Sequence, residues 1–352
     1  MTDIAERKLE HIALCAGGDV EGRGSNLLEE VQLLHEALPE LSLDEVDTSV
    51  TLFGRTLHCP VVITGMTGGA PAAGEINRAL AGVAQKLGFA FGVGSQRAML
   101  RDPALAASYE VRDVAPDALL FANLGVVQAR ELDSEGVARL VARIGADALC
   151  VHLNPAQELV QDEGDRDFRG CLDAIARLAR ELRTPVVVKE TGCGLSPRVL
   201  ARLKAAGVGW VDVSGAGGTT WTGVEALRGS RRQRALGAEL REWGIPTAAS
   251  VVYARRAGLR AIASGGVRGA VDVVRALALG AHAAGLALPF LRAFSRGGAP
   301  AAAEFGADLA EGIRSAMLLA GVRRVAELPG VPRVLGPRLR SWLELGADAP
   351  RD

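Results

Sequence analysis

Ala148-Leu149-Cys150-Val151-His152-Leu153-Asn154-Pro155-Ala156-Gln157-Glu158 is the stretch on which the rest of the sequence turns. It opens as a short apolar run, the pattern of a buried strand. Pro155 ends that strand, because it has no N–H to give to a sheet ladder. At the same point an imidazole, two amides and a carboxylate arrive together, in His152, Asn154, Gln157 and Glu158. A hydrophobic strand that delivers chemistry at its C-terminal end belongs to the mouth of a parallel barrel rather than to its wall. Taken alone, the stretch fits a strand followed by an ordinary polar loop equally well. Its neighbours decide between the two.

Short apolar runs recur at 61–63, 89–92, 118–122, 186–188, 210–213, 259–263 and 283–286. Between them lie amphipathic helix candidates at Glu75–Leu87, Pro103–Val114, Ser134–Ile144, Phe168–Leu182, Pro197–Ala206, Pro246–Ala257 and Ala270–Leu279. With 149–151 this makes eight strands alternating with helices. Strands that are apolar throughout have both faces covered, as in parallel sheets. Eight βα units over about 230 residues fit an α/β TIM (β/α)8 barrel, whose usual size is about 250 residues. A doubly wound sheet would more often show one Gly-rich phosphate turn after its first strand. Gly215-Ala216-Gly217-Gly218 is not that fingerprint, and no acidic residue follows at the required distance. No Walker A motif is present either.

Three segments follow: an N-terminal extension over 1–58, the barrel over 59–295 and a C-terminal helical segment over 296–352. Within the extension a helix is expected over Lys8–Leu14, broken by Gly17-Gly18-Asp19 and Gly22-Arg23-Gly24. Asn26–Leu38 carries helical spacing at Leu27, Val31, Leu34 and Leu38, and Val50–Leu57 reads as a hairpin turning at Gly54-Arg55. Thr219–Glu242 is long for a connection and holds Arg228, Arg231, Arg232 and Arg234, which suggests a mobile lid. A solvated surface helix is the plainer alternative. The helical stretch 300–345 is expected to close the barrel or form an oligomer contact.

Composition limits the partners. The chain has 352 residues, 49% apolar and 23% charged, with a net charge of −1. It can bury a large core, and no global field draws it to nucleic acid or membrane. No apolar run approaches the roughly 20 residues that span a bilayer. The first eight residues contain no signal-like apolar core. The five cysteines are scattered without paired metal spacing, as expected of a reduced, cytoplasmic protein. Lysine occurs only at Lys8, Lys86, Lys189 and Lys204, so a lysine ending an apolar strand stands out.

The other strand ends repeat the opening pattern. They read Gly65-Met66-Thr67-Gly68-Gly69, Gly94-Ser95-Gln96-Arg97, Asn123-Leu124-Gly125, Lys189-Glu190, Ser214-Gly215-Ala216-Gly217-Gly218-Thr219 and Ser264-Gly265-Gly266-Val267-Arg268. Gly265-Gly266 precedes a helix, and bare backbone N–H groups at a helix start favour a phosphate. Loops after strands 7 and 8 are the common phosphate site of this barrel. Lys189 is placed to face the anionic edge of a flavin, form a Schiff base or act as a base. A salt bridge to Glu190 is its structural alternative. Arg7, Lys8 and His11 read, on local sequence, as a solvated helix face.

These strand ends, together with Arg7-Lys8-x-Glu10-His11-Ile12 and Thr219-x-Trp221, resemble type 2 isopentenyl-diphosphate isomerase in order and spacing over about residues 6 to 295. The resemblance implies an FMN-dependent TIM barrel that interconverts isopentenyl and dimethylallyl diphosphate with Mg2+ and reduced flavin. NADPH is the implied reductant, and a homotetramer or homo-octamer the implied assembly. It implies that Gly65, Met66, Thr67, Ser95, Asn123, Lys189, Ser214 and Thr219 hold the flavin and its ribityl chain. Gly265, Gly266, Arg268, Ala287 and Leu288 would surround the FMN phosphate, although glycine is expected where Leu288 stands. Arg7, Lys8, Arg97, His152, Asn154 and Gln157 would bind the substrate, and Glu158 would ligate Mg2+. Gln157, His152 and Lys189 are the candidate catalytic residues, beside flavin N5 as the acid–base group.

Two other readings stand beside it. An FMN-dependent 2-hydroxy acid oxidase shares the barrel, but it needs a histidine base and an arginine where this chain has Ala216 and Thr219. A non-catalytic flavin-binding protein would have no use for His152, Gln157 and Glu158.

Overall fold

Eight short strands, buried almost throughout, close on themselves. They are β1 (Val61–Ile63), β2 (Ala90–Gly92), β3 (Leu120–Gly125), β4 (Ala148–His152), β5 (Val186–Lys189), β6 (Trp210–Asp212), β7 (Arg260–Ser264) and β8 (Ala283–Leu286). All neighbours pair in parallel, and β8 returns to pair with β1. The structure, a computed structural model, describes residues 4–345, with side chains from Arg7 onward. This is the TIM barrel that the apolar runs predict.

The two-residue period of a strand sorts the core. Val62, Phe121, Cys150, Val187, Trp210 and Ile262 pack together inside the barrel. Ile63, Phe91, Leu149, Val151, Val188 and Val211 face the surrounding helices. The hairpin Val50–Leu52 with Arg55–Leu57 plugs the N-terminal mouth. Its Phe53 ring lies 4.6 Å from that of Trp210 and 5.7 Å from that of Phe121. The turn falls on Phe53-Gly54, both at positive φ, one residue before the expected Gly54-Arg55. Two left-handed residues match the twist of the flanking strands.

Several expected elements differ. Asn26–Leu38 is not a helix. Asn26 Oδ1 accepts from Leu28 N at 2.8 Å, and Leu27 is left-handed at φ 60°. The side chain thereby takes the backbone out of helical register. A 3-10 turn, Leu28–Glu30, leads into Val31–Leu33, which pairs antiparallel with Arg333–Leu335. The C-terminal stretch is therefore part strand, and it ties to the N-terminal extension. Pro103–Val114 is not an α-helix: only a 3-10 turn, Pro103–Ser108, forms there, with Asp102 capping Ala104 N, and a short helix Arg97–Arg101 precedes it. The polar loop after β4 is a short helix, Pro155–Val160, with proline at its first turn, where no N–H is missed. Thr219–Glu242 folds as two helices, Trp221–Arg228 and Arg231–Glu239.

Candidate active site

The C-terminal ends of the strands surround a cavity of about 410 Å³. Every residue that the resemblance assigns to flavin, substrate or metal lies on its wall. Gly65, Met66 and Thr67 follow β1, Ser95 and Arg97 follow β2, and Asn123 belongs to β3. His152, Asn154, Gln157 and Glu158 close β4, and Lys189 ends β5. Ser214 and Thr219 follow β6, Gly265, Gly266 and Arg268 follow β7, and Ala287 and Leu288 follow β8. Arg7 and Lys8 reach the same cavity from the N-terminal helix Ile4–Gly17. Arg7 and Lys8 therefore do not form a solvated helix face.

His152 is neutral and its tautomer is set. Asn123 Nδ2 donates to Val93 O at 3.1 Å, which leaves Asn123 Oδ1 as an acceptor. His152 Nδ1, 2.8 Å away, must donate to it, so Nε2 keeps its lone pair. Burial pushes the imidazole down to about 3, with further repulsion from Lys189, Lys8 and Arg97. Asn123 is itself anchored, its N–H donating to Gln96 Oε1 at 3.0 Å.

Lys189 sits beside His152 and Asp212 in the barrel register. Its Nζ donates to the Glu190 carbonyl at 2.7 Å, not to the Glu190 carboxylate. That carboxylate accepts instead from the backbone N–H groups of Thr191, Gly192 and Cys193. Burial lifts Glu190 to about 7 against the pull of those donors. Asp212 is the buried charge that Lys189 faces, and Ser264 Oγ donates to it at 2.5 Å. The alternative salt bridge from Lys189 to Glu190 does not form; Asp212 is the register neighbour of Lys189. Both residues fall on the inward side of adjacent strands, whereas Glu190 does not.

At one end of the cavity the loops after β6 and β7 meet through their glycines. A Cβ on Gly265 would lie 2.1 Å from Gly215 O, and one on Gly266 2.2 Å from Gly217 O. A Cβ on Gly218 would lie 2.3 Å from Gly266 N. The loops after β6 and β7 stack backbone on backbone, and only glycine permits this. Gly265 and Gly266 also have φ of 98° and 71°. Leu288 begins the helix Leu288–Leu319 with its side chain buried, so the missing glycine leaves the helix-start N–H in place. Thr67 Oγ1 is buried without a hydrogen-bond partner, the mark of a group that a ligand satisfies. These residues fit a flavin phosphate and ribityl chain.

The opposite end gathers cations around Glu158, with the carboxylates of Asp165 and Glu225 beside it. Burial pushes Lys8 down to about 8, helped by the charge of Arg7. Arg97 Nη1 lies 4.0 Å from Asp165 Oδ2. Glu158 Oε1 accepts from Asn154 Nδ2 at 2.9 Å, and Oε2 from Asp165 N at 2.8 Å. Gln157 Nε2 donates to Glu225 Oε1 at 2.9 Å. Glu225 also meets His11 Nε2 at 3.1 Å and Arg228 Nη1 at 3.2 Å. Burial alone would raise its pKa, but His11, Gln157 and Arg228 hold it below the ordinary carboxylate range.

Glu225 is one residue that the sequence reading misses. It lies in the expected lid, where attention goes to four arginines. Only Arg228 of those reaches the site; Arg231, Arg232 and Arg234 are exposed. The i, i+3 spacing of Glu225 and Arg228 was the available signal. No group of three or more metal-ligating His, Cys, Asp or Glu side chains occurs among the described residues. No described helix is long and apolar enough to cross a membrane.

Comparison with known proteins narrows this chemistry. A family described as FMN-dependent dehydrogenase matches residues 152–332. The isopentenyl-diphosphate delta-isomerase of Halobacterium salinarum is 46% identical over 350 residues, 97% of each chain. That of Methanopyrus kandleri is 45% identical over 346 residues, 97% of this chain and 94% of the relative. Among solved structures, a mandelate oxidase mutant with a monooxide FMN adduct superposes with a TM-score of 0.64 at 20% identity. It covers 93% of this chain and 99% of its own, a likeness of fold alone. Near-complete alignment at this identity, on a barrel with a glycine cradle, places the chain in the FMN-dependent, type 2 isopentenyl-diphosphate delta-isomerase family.

Proposed function

We propose that the chain interconverts isopentenyl and dimethylallyl diphosphate, with FMN in its reduced form and Mg2+. One observation carries the reading. The same cavity holds a glycine cradle at one end and the cations Arg7, Lys8 and Arg97 around Glu158 at the other. The two ends suit a cofactor phosphate and a substrate diphosphate, with the reacting carbons between them. NADPH as reductant and a homotetramer or homo-octamer as assembly remain part of the proposal on family resemblance.

The reaction moves a double bond, so one carbon gains a proton and another loses one. An isolated alkene is a poor base and needs a well-placed acid in a dry pocket. The carboxylates near these carbons are committed elsewhere. Glu158 accepts from Asn154 and Asp165, and Glu225 is surrounded by His11, Gln157 and Arg228. Reduced FMN, when bound, would supply the acid–base group through N5. The chain's residues then bind and orient. Met66, Thr67, Ser95, Asn123, Ser214 and Thr219 would hold the flavin, and Lys189 its anionic edge. Gly265, Gly266, Arg268, Ala287 and Leu288 would hold its phosphate. Arg7, Lys8, Arg97 and Asn154 would grip the diphosphate, with Glu158 on Mg2+, while neutral His152, whose free Nε2 can only accept, would lie against the rest of the substrate. Gln157, fixed by Glu225, would position or relay the proton beside the alkene.

The roles separate kinetically. Gln157→Ala is expected to lower kcat about 10²-fold, the usual scale for one positioned acid–base group, with little change in FMN affinity. Glu158→Gln is expected to raise the Mg2+ concentration needed for half-maximal rate. Near-normal turnover in the first variant, or unchanged Mg2+ dependence in the second, removes that residue from its role.

A further inference from the structure

Two carboxylates line the cavity among the described residues: Glu158 at the diphosphate end and Glu21 at the phosphate end. A carboxylate beside a phosphate site repels its ligand unless it is already neutralised. Glu21 is neutralised twice. Its Oε1 accepts from Arg268 Nη2 at 2.8 Å and its Oε2 from Arg292 Nη1 at 2.9 Å. Two guanidiniums share one carboxylate, so the lip keeps a net positive charge.

Glu21 also belongs to a strap laid across both glycine loops. Gly22 N donates to Gly218 O at 2.9 Å, and Thr220 N donates to Val20 O at 2.8 Å. Asn26 Nδ2 donates to Gly266 O at 2.5 Å. Arg292 Nη2 reaches Gly18 O at 3.3 Å, where the strap leaves the helix Ile4–Gly17. The loops that would hold the cofactor phosphate thus also hold the segment that delivers Arg7 and Lys8 to the other end of the cavity.

We propose that Glu21 is a positioning residue, a clasp that links filling of the phosphate lip by FMN to seating of the helix bearing Arg7 and Lys8. The proposal rests on the reading above that the FMN phosphate lies against Gly265, Gly266 and Arg268. At 26% side-chain exposure Glu21 adds little to global stability. Its effect is a coupling between two sites, and coupling is reciprocal.

The test compares FMN with riboflavin, which lacks the phosphate, on the full-length protein. In the wild type FMN slows trypsin cleavage after Arg7 and Lys8, and riboflavin does not. In Glu21→Gln that protection is lost, and the FMN Kd rises about tenfold, the scale of a lost charge-assisted hydrogen-bond pair. The riboflavin Kd stays unchanged. Arg292→Gln breaks the clasp from the other side and reproduces both effects. A Glu21→Gln protein that keeps FMN affinity and protection overturns the clasp. So does loss of both in Glu21→Gln with neither in Arg292→Gln, which marks a folding defect. A wild type that binds FMN and riboflavin equally well removes the phosphate from this lip and overturns the underlying reading as well.

Discussion

Burial fixes the charge of His152 before any ligand arrives. Its imidazole is pushed to about 3 by desolvation and by Lys189, Lys8 and Arg97. The folded-state pKa lies below the unfolded value of about 6.5. Below that value the unfolded chain binds the extra proton, so stability falls as the pH drops from there toward 3 and is unaffected above it. The imidazole signals of His152 are therefore expected to show no titration between pH 5 and 8 by NMR. A midpoint near 6.5 would mean that the ring is solvated and free to protonate. His152 is legible in the sequence because it ends an apolar strand, and Gln157 because it follows that strand directly. Glu225 and Glu21 are not, since each acquires its role from a partner far along the chain. Glu225 is 68 residues from Gln157, and Glu21 is 247 from Arg268.

The barrel strands are the elements that the sequence shows best, because burial on both faces leaves them apolar throughout. The Asn26–Leu38 segment misleads for a related reason. Leu27 and Val31 are buried as a helix would require, but Leu34 and Leu38 are 53% and 71% exposed. The spacing is there without the face, and Asn26 redirects the backbone. Pro103–Val114 is helical only as far as Ser108, and only as a 3-10 turn. The glycine loops after β6 and β7 are legible as a phosphate site, but their stacking is not, since it depends on two loops meeting. Gly266→Ala tests that stacking. Its Cβ would meet Gly217 O at 2.2 Å, and φ of 71° strains any L side chain. The variant is expected to lose about 1–3 kcal/mol of stability from backbone strain. Its FMN affinity should fall at least about tenfold, a cost of about 1.4 kcal/mol. Calorimetry and flavin fluorescence titration read the two effects. Unchanged FMN affinity would move the phosphate elsewhere.

The whole molecule shares its barrel with mandelate oxidase at 20% identity, so the fold alone does not select the reaction. In the loop after β6, where the oxidase reading of the sequence needs a histidine base, this chain has Ala216, which is off the cavity wall and bridged to Pro246. The Val31–Leu33 and Arg333–Leu335 strands join the extension carrying Arg7 and Lys8 to the C-terminal segment. The central claim is a redox-neutral isomerisation that needs reduced flavin. It is tested most directly by incubating the purified, FMN-loaded protein with isopentenyl diphosphate and Mg2+ under anaerobic conditions, before and after reducing the flavin. Dimethylallyl diphosphate is expected only after reduction, with the flavin still reduced at equilibrium. Product from the oxidised enzyme, or flavin reoxidised in step with turnover, would contradict the account.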